Sequence, residues 1–243
     1  MKKLKLFSIL SLIVLSAATY TFAAGGGRGT GAGGGAATGP RPAGPVTLTK
    51  ATTPTTKPDA EGFIRRWAIL EPIAGVQGVT DSAVQAAVKK EYFPNQMAVV
   101  PKDGDKVTVN DIELTWHVLD TNLYRVNLYH YSYDFNKPSN NVLWWAVAVV
   151  NCPEEIKDAR LAIGSNDASV WWVNGTEVAS LYLDRSVVID DAVSKRLTLK
   201  KGPNIIRAAI HNQGGQTDFC ARLLDKDDKP LTNYTISLDA SAQ

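Results

Sequence analysis

Aromatic rings next to short polar side chains are the part of this chain with chemistry to offer. Tyr129, Tyr131 and Tyr133 recur with period two, among Asn127, His130, Asp134 and Asn136. In an extended segment that spacing puts all three phenol rings on one face. Trp171 and Trp172 are adjacent, so on a strand they point to opposite sides. With Trp172 turned toward a core, Trp171 faces solvent or a ligand. Just ahead of them, Asn166-Asp167 places an amide and a carboxylate in a polar turn. Rings that stack on apolar sugar faces, beside side chains that bond hydroxyls, are the parts of a sugar site. The competing reading of any one ring is packing, and it is preferred for Trp67, Trp116 and Trp172, which sit among apolar neighbours.

Catalytic patterns are missing. The sequence has no Gly-x-Ser-x-Gly elbow, no His-Glu-x-x-His and no phosphate loop leading into a helix. His117, His130 and His211 could each serve as base to a serine such as Ser132 or Ser165, but no spacing selects one. Asp190-Asp191 reads as a solvated turn rather than a glycosidase pair. No catalytic residue is therefore assigned. No Cys/His set has zinc spacing.

The elements that must carry these residues are mostly strands. Phe63 to Leu70 reads as the first, ended by Pro72. Thr80 and Asp81 offer N-caps for one short helix to about Lys90, with Val84, Ala87 and Val88 as its apolar stripe. Strand signals follow at Lys106–Val109, Ile112–Leu119, Val126–Tyr133, Val142–Val150, Arg160–Ile163 and Val170–Val173. Asn174-Gly175 then reverses the chain in a type I′ turn, since both residues tolerate positive φ. Further strands read through Tyr182, then at Leu197–Leu199, Asn204–His211, Phe219–Leu224 and Tyr234–Leu238. Short strands punctuated by turns predict an all-β fold, an antiparallel β-sandwich with one short helix.

Residues 1–23 read as a signal peptide: Lys2, Lys3 and Lys5, an apolar run from Leu6 to Ala18, and Thr21-Phe22-Ala23 for cleavage. Residues 24–60 read as a disordered Gly/Pro/Thr-rich linker, and residues 61–243 as one β-sandwich domain. The expected location is secreted or periplasmic. Losing the three signal lysines takes the formal net charge from +2 to −1. A near-neutral mature chain argues against a nucleic-acid partner, which needs a basic surface. No segment after the signal is long and apolar enough to span a bilayer. Cys152 and Cys220 either pair in an oxidising compartment or stay as buried thiols; spacing leaves both open.

Three runs together resemble a known group of domains: Phe63-Ile64-Arg65-Arg66-Trp67, Leu161 to Asp167, and Val170 to Gly175. Leu199 to Asn204, and Asn212-Gln213-Gly214-Gly215 with Phe219 to Leu223, continue the likeness over about residues 61–240. It is similar to the galactose-binding-like (jelly-roll) carbohydrate-binding modules of secreted bacterial polysaccharide-processing proteins. The local motif also resembles protective-antigen-type lectin domains. In those lectins two adjacent acidic residues after Gly-Ser hold calcium and, through it, a sugar. Here the pair is Asn166-Asp167, which keeps two oxygen donors but has one charge less. The bland alternative is a turn whose side chains bond their own backbone.

The expectation is a secreted, non-catalytic, carbohydrate-binding-type module. It binds polysaccharide through Trp171, Tyr129, Tyr131, Tyr133 and Asp167. No cofactor is required, and calcium at Asn166 and Asp167 is an option. Two alternatives stand beside it: a structural or protein-interaction module on a flexible stalk, and an accessory domain of a carbohydrate esterase or glycoside hydrolase.

Overall fold

A computed structural model describes residues 46–237. The expected signal peptide and residues 24–45 of the expected linker lie outside them. In chain order the strands are β1 (Leu48–Lys50), β2 (Thr55–Thr56), β3 (Arg66–Leu70) and β4 (Ile73–Ala74), then helix α1 (Asp81–Lys89). Next come β5 (Lys106–Val109), β6 (Ile112–Thr121), β7 (Val126–Asn127), helix α2 (Leu128–Asp134) and β8 (Val142–Cys152). The chain continues with β9 (Ile156–Ser165), β10 (Ala168–Val173), β11 (Thr176–Leu181), β12 (Ala192–Val193) and β13 (Leu197–Leu199). It closes with β14 (Gly202–Asn212), β15 (Asp218–Leu224) and β16 (Thr235–Ser237).

The strands form two antiparallel sheets. The main path of the larger runs β1-β6-β3-β8-β14-β10-β11, and the smaller runs β12-β9-β15-β7 with β13 on β9. The longest seam is β8 with β14, in register from Gly202 opposite Cys152 to Asn212 opposite Val142. The near-continuous apolar run of β8 has the sequence of a strand covered on both sides. Trp144 and Trp145 are both fully buried, in different clusters. Trp144 joins Trp67, Trp171 and Phe219 between the sheets. Trp145 joins Trp116, Trp172 and Phe93 on the other face of the large sheet, beneath Val84 and Val88 of α1.

Two expectations need correcting here. Leu48–Lys50 and Thr55–Thr56 fall inside the segment expected as linker, yet they are strands, paired with β6 and β16. Buried Arg66 explains the hold on this stretch. Its Nη1 donates to the Thr53 carbonyl at 2.7 Å, while Nε and Nη2 grip the Asp120 carboxylate at 2.7 and 2.9 Å. The second correction is α2. Val126–Tyr133 was expected as one strand, but pairing stops at Asn127. The Asn127 side chain accepts the His130 amide at 2.7 Å and caps a helix instead. The predicted helix at Thr80–Lys90 is present, with Thr80 as its N-cap.

The Asn-Gly turn forms as its residue types require, with φ of 50° at Asn174 and 84° at Gly175. Asn174 also fastens the β10–β11 hairpin to the start of β14: its Oδ1 accepts from Ile205 N and its Nδ2 donates to Asn204 Oδ1, both at 2.9 Å. Cys152 and Cys220 are buried free thiols.

Candidate functional site

Trp171 does not face a ligand. It is fully buried and makes edge contacts with Trp67 at 5.9 Å and with Phe219 at 5.7 Å between ring centroids. Its indole Nε1 donates to Ser169 Oγ at 2.8 Å. Alternation does send Trp171 and Trp172 to opposite faces, but both faces of this sheet are covered, so both rings are buried.

The tyrosines share no face either, because they lie on α2. In a helix, positions two apart point in different directions. Tyr131 is buried, with its hydroxyl on the Ile69 carbonyl at 3.3 Å. Tyr129 and Tyr133, one turn apart, do meet: their rings are 5.1 Å apart edge-on and their hydroxyls 3.4 Å apart. They are half-buried on the outside of the helix.

Tyr131 lines a cavity of about 470 Å³ with His117 and Asp103, and a different cavity holds Asp167. Asp167 sits in the turn between β9 and β10 at φ 59°, almost wholly buried. Its Oδ2 accepts the Gln213 amide at 2.9 Å, and its own amide donates to the Arg185 carbonyl at 3.3 Å. These bonds draw the loops after β11 and β14 to the β9–β10 turn. A cavity of about 410 Å³ opens among them, lined by Asp167, Asp184, Gln213, Gly214 and Val79. Burial, then the charge of Asp184, push the Asp167 carboxyl up to about 6; the amides of Gln213 and Gly214 work against this shift. Two carboxyls thus share one small space, and the lining supplies no cationic side chain.

Asn166 is half-buried and does not line this cavity. Its amide donates to the Asp218 carbonyl at 2.8 Å. Among the described residues no group of three or more His, Cys, Asp or Glu side chains is arranged to hold a metal ion.

The cavity wall is strained at one point. Leu183, next to Asp184, has φ 70° and is exposed. A branched side chain there is unfavourable and persists only where surroundings enforce it. The Leu183 amide is held by the Val79 carbonyl at 2.8 Å.

The sequence did not mark Asp184 and Gln213, which line this cavity. Gln213-Gly214-Gly215 carried a signal as a turn rich in glycine, but Asp184 follows the hairpin with no pattern to mark it. The serines named as nucleophiles are engaged with carbonyls: Ser132 Oγ donates to Pro138 O at 3.1 Å, and Ser165 Oγ to Asp167 O at 3.1 Å. Buried His211 Nε2 lies 3.1 Å from the Val76 carbonyl, and His117 Nε2 lies 3.3 Å from Glu71 Oε1.

No family model matches the chain, and no curated protein matches it. Among solved structures, it is similar to a PA14 sugar-binding domain from an RTX adhesin. The identity is 13% and the TM-score 0.42, over 70% of this chain and 96% of that one. It is similar also to the PA14 domain of the MpAFP antifreeze protein, at 16% identity and TM-score 0.41, over 79% and 94% of the two chains. A GH31 alpha-xylosidase from Xanthomonas citri follows at 10% identity and TM-score 0.32, covering 76% of this chain and 19% of that one. The first two are PA14 domains rather than galactose-binding-like modules. Likeness of this degree carries no argument about ligand or mechanism.

Proposed function

We propose that this chain is a carbohydrate-binding module whose ligand sits in the Asp167–Asp184 cavity. One observation carries the reading. A buried carboxyl, anchored by the Gln213 amide, lies beside a second carboxyl and within side-chain hydrogen-bond reach of it, in a cavity of about 410 Å³ with no cationic side chain in the lining. Burying two carboxyls side by side with no cation between them is costly. Sugar hydroxyls are suitable partners, because each can donate to a carboxylate. The stacking expected of Trp171 has no place in this mode, and Val79 is the apolar side chain in the lining. Binding here is polar, with Asp167 and Asp184 accepting and Gln213 and Gly214 orienting.

The residues also suit calcium. Two carboxylates are hard oxygen donors, and calcium takes six to eight oxygens, so ligand hydroxyls and water would complete the shell. Asp167 and Asp184 would hold the ion, whereas Asn166, expected as a partner, does not line the cavity. When bound, the ion would neutralise the pair and offer a contact to paired hydroxyls. Export to a secreted or periplasmic location, as the signal-like N-terminus suggests, is part of the same proposal.

A second reading, docking of a protein, is favoured by one feature. Leu183, Val188 and Ile189 are exposed apolar residues on one loop beside the cavity. The test is a glycan array with the full chain, run with calcium and with chelator. Retention of a defined glycan supports the module. Blank arrays in both conditions would leave protein docking as the better account.

A further inference from the structure

The cavity of about 470 Å³ that Tyr131 lines is assembled from three segments: the β1–β6 strand pair, helix α2 and the turn before β5. Thr115, His117 and Leu119 alternate along β6 and so share one face. Lys50 is opposite Leu119 in the β1–β6 register and leaves the sheet on that face, as does Leu48 two residues before it. Tyr131, Asp134 and Phe135 are three and four apart at the end of α2 and form one stripe. Asp103 and Gly104 come from the turn.

These parts are held in place by bonds of their own. Gly104 N donates to the Trp116 carbonyl at 2.9 Å and Trp116 N to the Asp105 carbonyl at 2.8 Å, which pins the turn to β6. Asp103 Oδ1 accepts the Val118 amide at 2.9 Å. The His117 ring lies on Phe135 at 4.0 Å between centroids, and its Nε2 is 3.3 Å from Glu71 Oε1. Glu71 is itself held by Lys137 Nζ at 2.9 Å and by the Thr115 amide at 3.1 Å.

The lining offers one cation next to one anion. Lys50 Nζ is 2.8 Å from Asp103 Oδ2, and the two side chains are 71% and 32% exposed. Such a pair contributes little to stability. Its ammonium keeps further N–H groups and its carboxylate further lone pairs. A cationic ligand would compete with Lys50 for Asp103, and an anionic one with Asp103 for Lys50. A neutral ligand with adjacent hydroxyls serves both, one hydroxyl donating to the carboxylate while its neighbour accepts from the ammonium. Leu48, Leu119 and Phe135 supply the apolar surface that a ring needs beside those polar contacts.

We propose that this cavity is a second sugar site, taking one neutral pyranose with a vicinal diol on Asp103 and Lys50 and its apolar edge against Leu119 and Phe135. Its lining shares no residue with the Asp167–Asp184 cavity. The choice of a sugar rests on the reading of the chain as a carbohydrate-binding module, whereas the place rests on the lining. Two sites on one chain would let a polysaccharide bind more tightly than either site alone.

The test is amide NMR of the full chain titrated with methyl α-mannopyranoside, methyl β-glucopyranoside and methyl β-galactopyranoside, and separately with choline as a cationic probe. At least one glycoside should shift the amides of residues 115–119 and 131–135 together. Asp103→Asn keeps an acceptor for the Val118 amide and should weaken that glycoside by about tenfold, the loss of a charge-assisted hydrogen bond. Lys50→Ala changes an exposed side chain. It should weaken binding a fewfold with the melting temperature unmoved, and it decides the matter should Asp103→Asn fail to fold. No shift at these amides with any glycoside, shifts with choline alone, or undiminished affinity in Lys50→Ala or in folded Asp103→Asn overturns the proposal. Failure of the first reading shows elsewhere, as a glycan response at residues 213–214 that is absent or indifferent to Asp167→Asn.

Discussion

The Asp167 carboxylate and the Gln213 amide meet at 2.9 Å, and this bond holds the loop after β14 against the turn before β10. It also keeps a carboxyl buried opposite Asp184. Burial first, then that neighbour, raise the Asp167 carboxyl from 3.8 to about 6. An acid raised in this way binds its proton more tightly folded than unfolded. Stability is therefore lost as pH climbs from about 4 to about 6, and stays lost above. Moving a carboxyl by about two pH units is worth about 3 kcal/mol. Asp167→Asn keeps an acceptor for Gln213 and tolerates the positive φ. It should raise the melting temperature at pH 7.5 and give no gain at pH 4. A variant no more stable than the parent at pH 7.5 contradicts this.

Trp171 belongs to scaffold. Trp171→Ala should cost about 3–5 kcal/mol, as emptying a packed aromatic position does, and urea titration measures it. Tyr133→Ala, on the outside of α2, should cost far less. A Trp171→Ala protein of near-native stability would mean that the ring is not packed against Trp67 and Phe219.

Gly164 is needed for space rather than for φ. A Cβ there would stand 1.9 Å from the Val188 carbonyl and 3.1 Å from the Cys220 sulfur. The Val188 backbone must move for anything larger, so Gly164→Ala should destabilise by about 1–3 kcal/mol. Thermal melts read this directly, and an unchanged melting temperature would refute the close approach.

The thiols are inert by burial, which pushes Cys152 up to about 11 and Cys220 up to about 12. A thiol reagent at pH 8 should label neither in the native chain and both in urea. Native labelling of either, or a single mass showing an intact bridge, contradicts the free buried thiols.

Strands were easy to read in this sequence, because turn residues punctuate it and apolar runs such as Val142–Val150 need burial. The faces of those strands were not. Alternation separates Trp171 from Trp172 and Trp144 from Trp145, but it does not reveal that α1 and its flanking loops cover the second face of the large sheet. The α2 helix was illegible for a different reason. Its tyrosines have both the aromatic character and the period of a strand, and the deciding residue is one capping side chain, Asn127. The polar turn that carries Asp167 was legible, from Ser165-Asn166-Asp167. Asp184 was not, since its role comes from a loop carried to the cavity by the Leu183–Val79 bond.

The central claim is that Asp167 and Asp184 together hold a glycan. Its most direct test is calorimetry on the parent chain, Asp167→Asn and Asp184→Asn, using the glycan that the array selects. The account predicts that each single variant weakens binding by about tenfold or more, the loss of a charge-assisted hydrogen bond, while both remain folded. Undiminished affinity in both folded variants would contradict it.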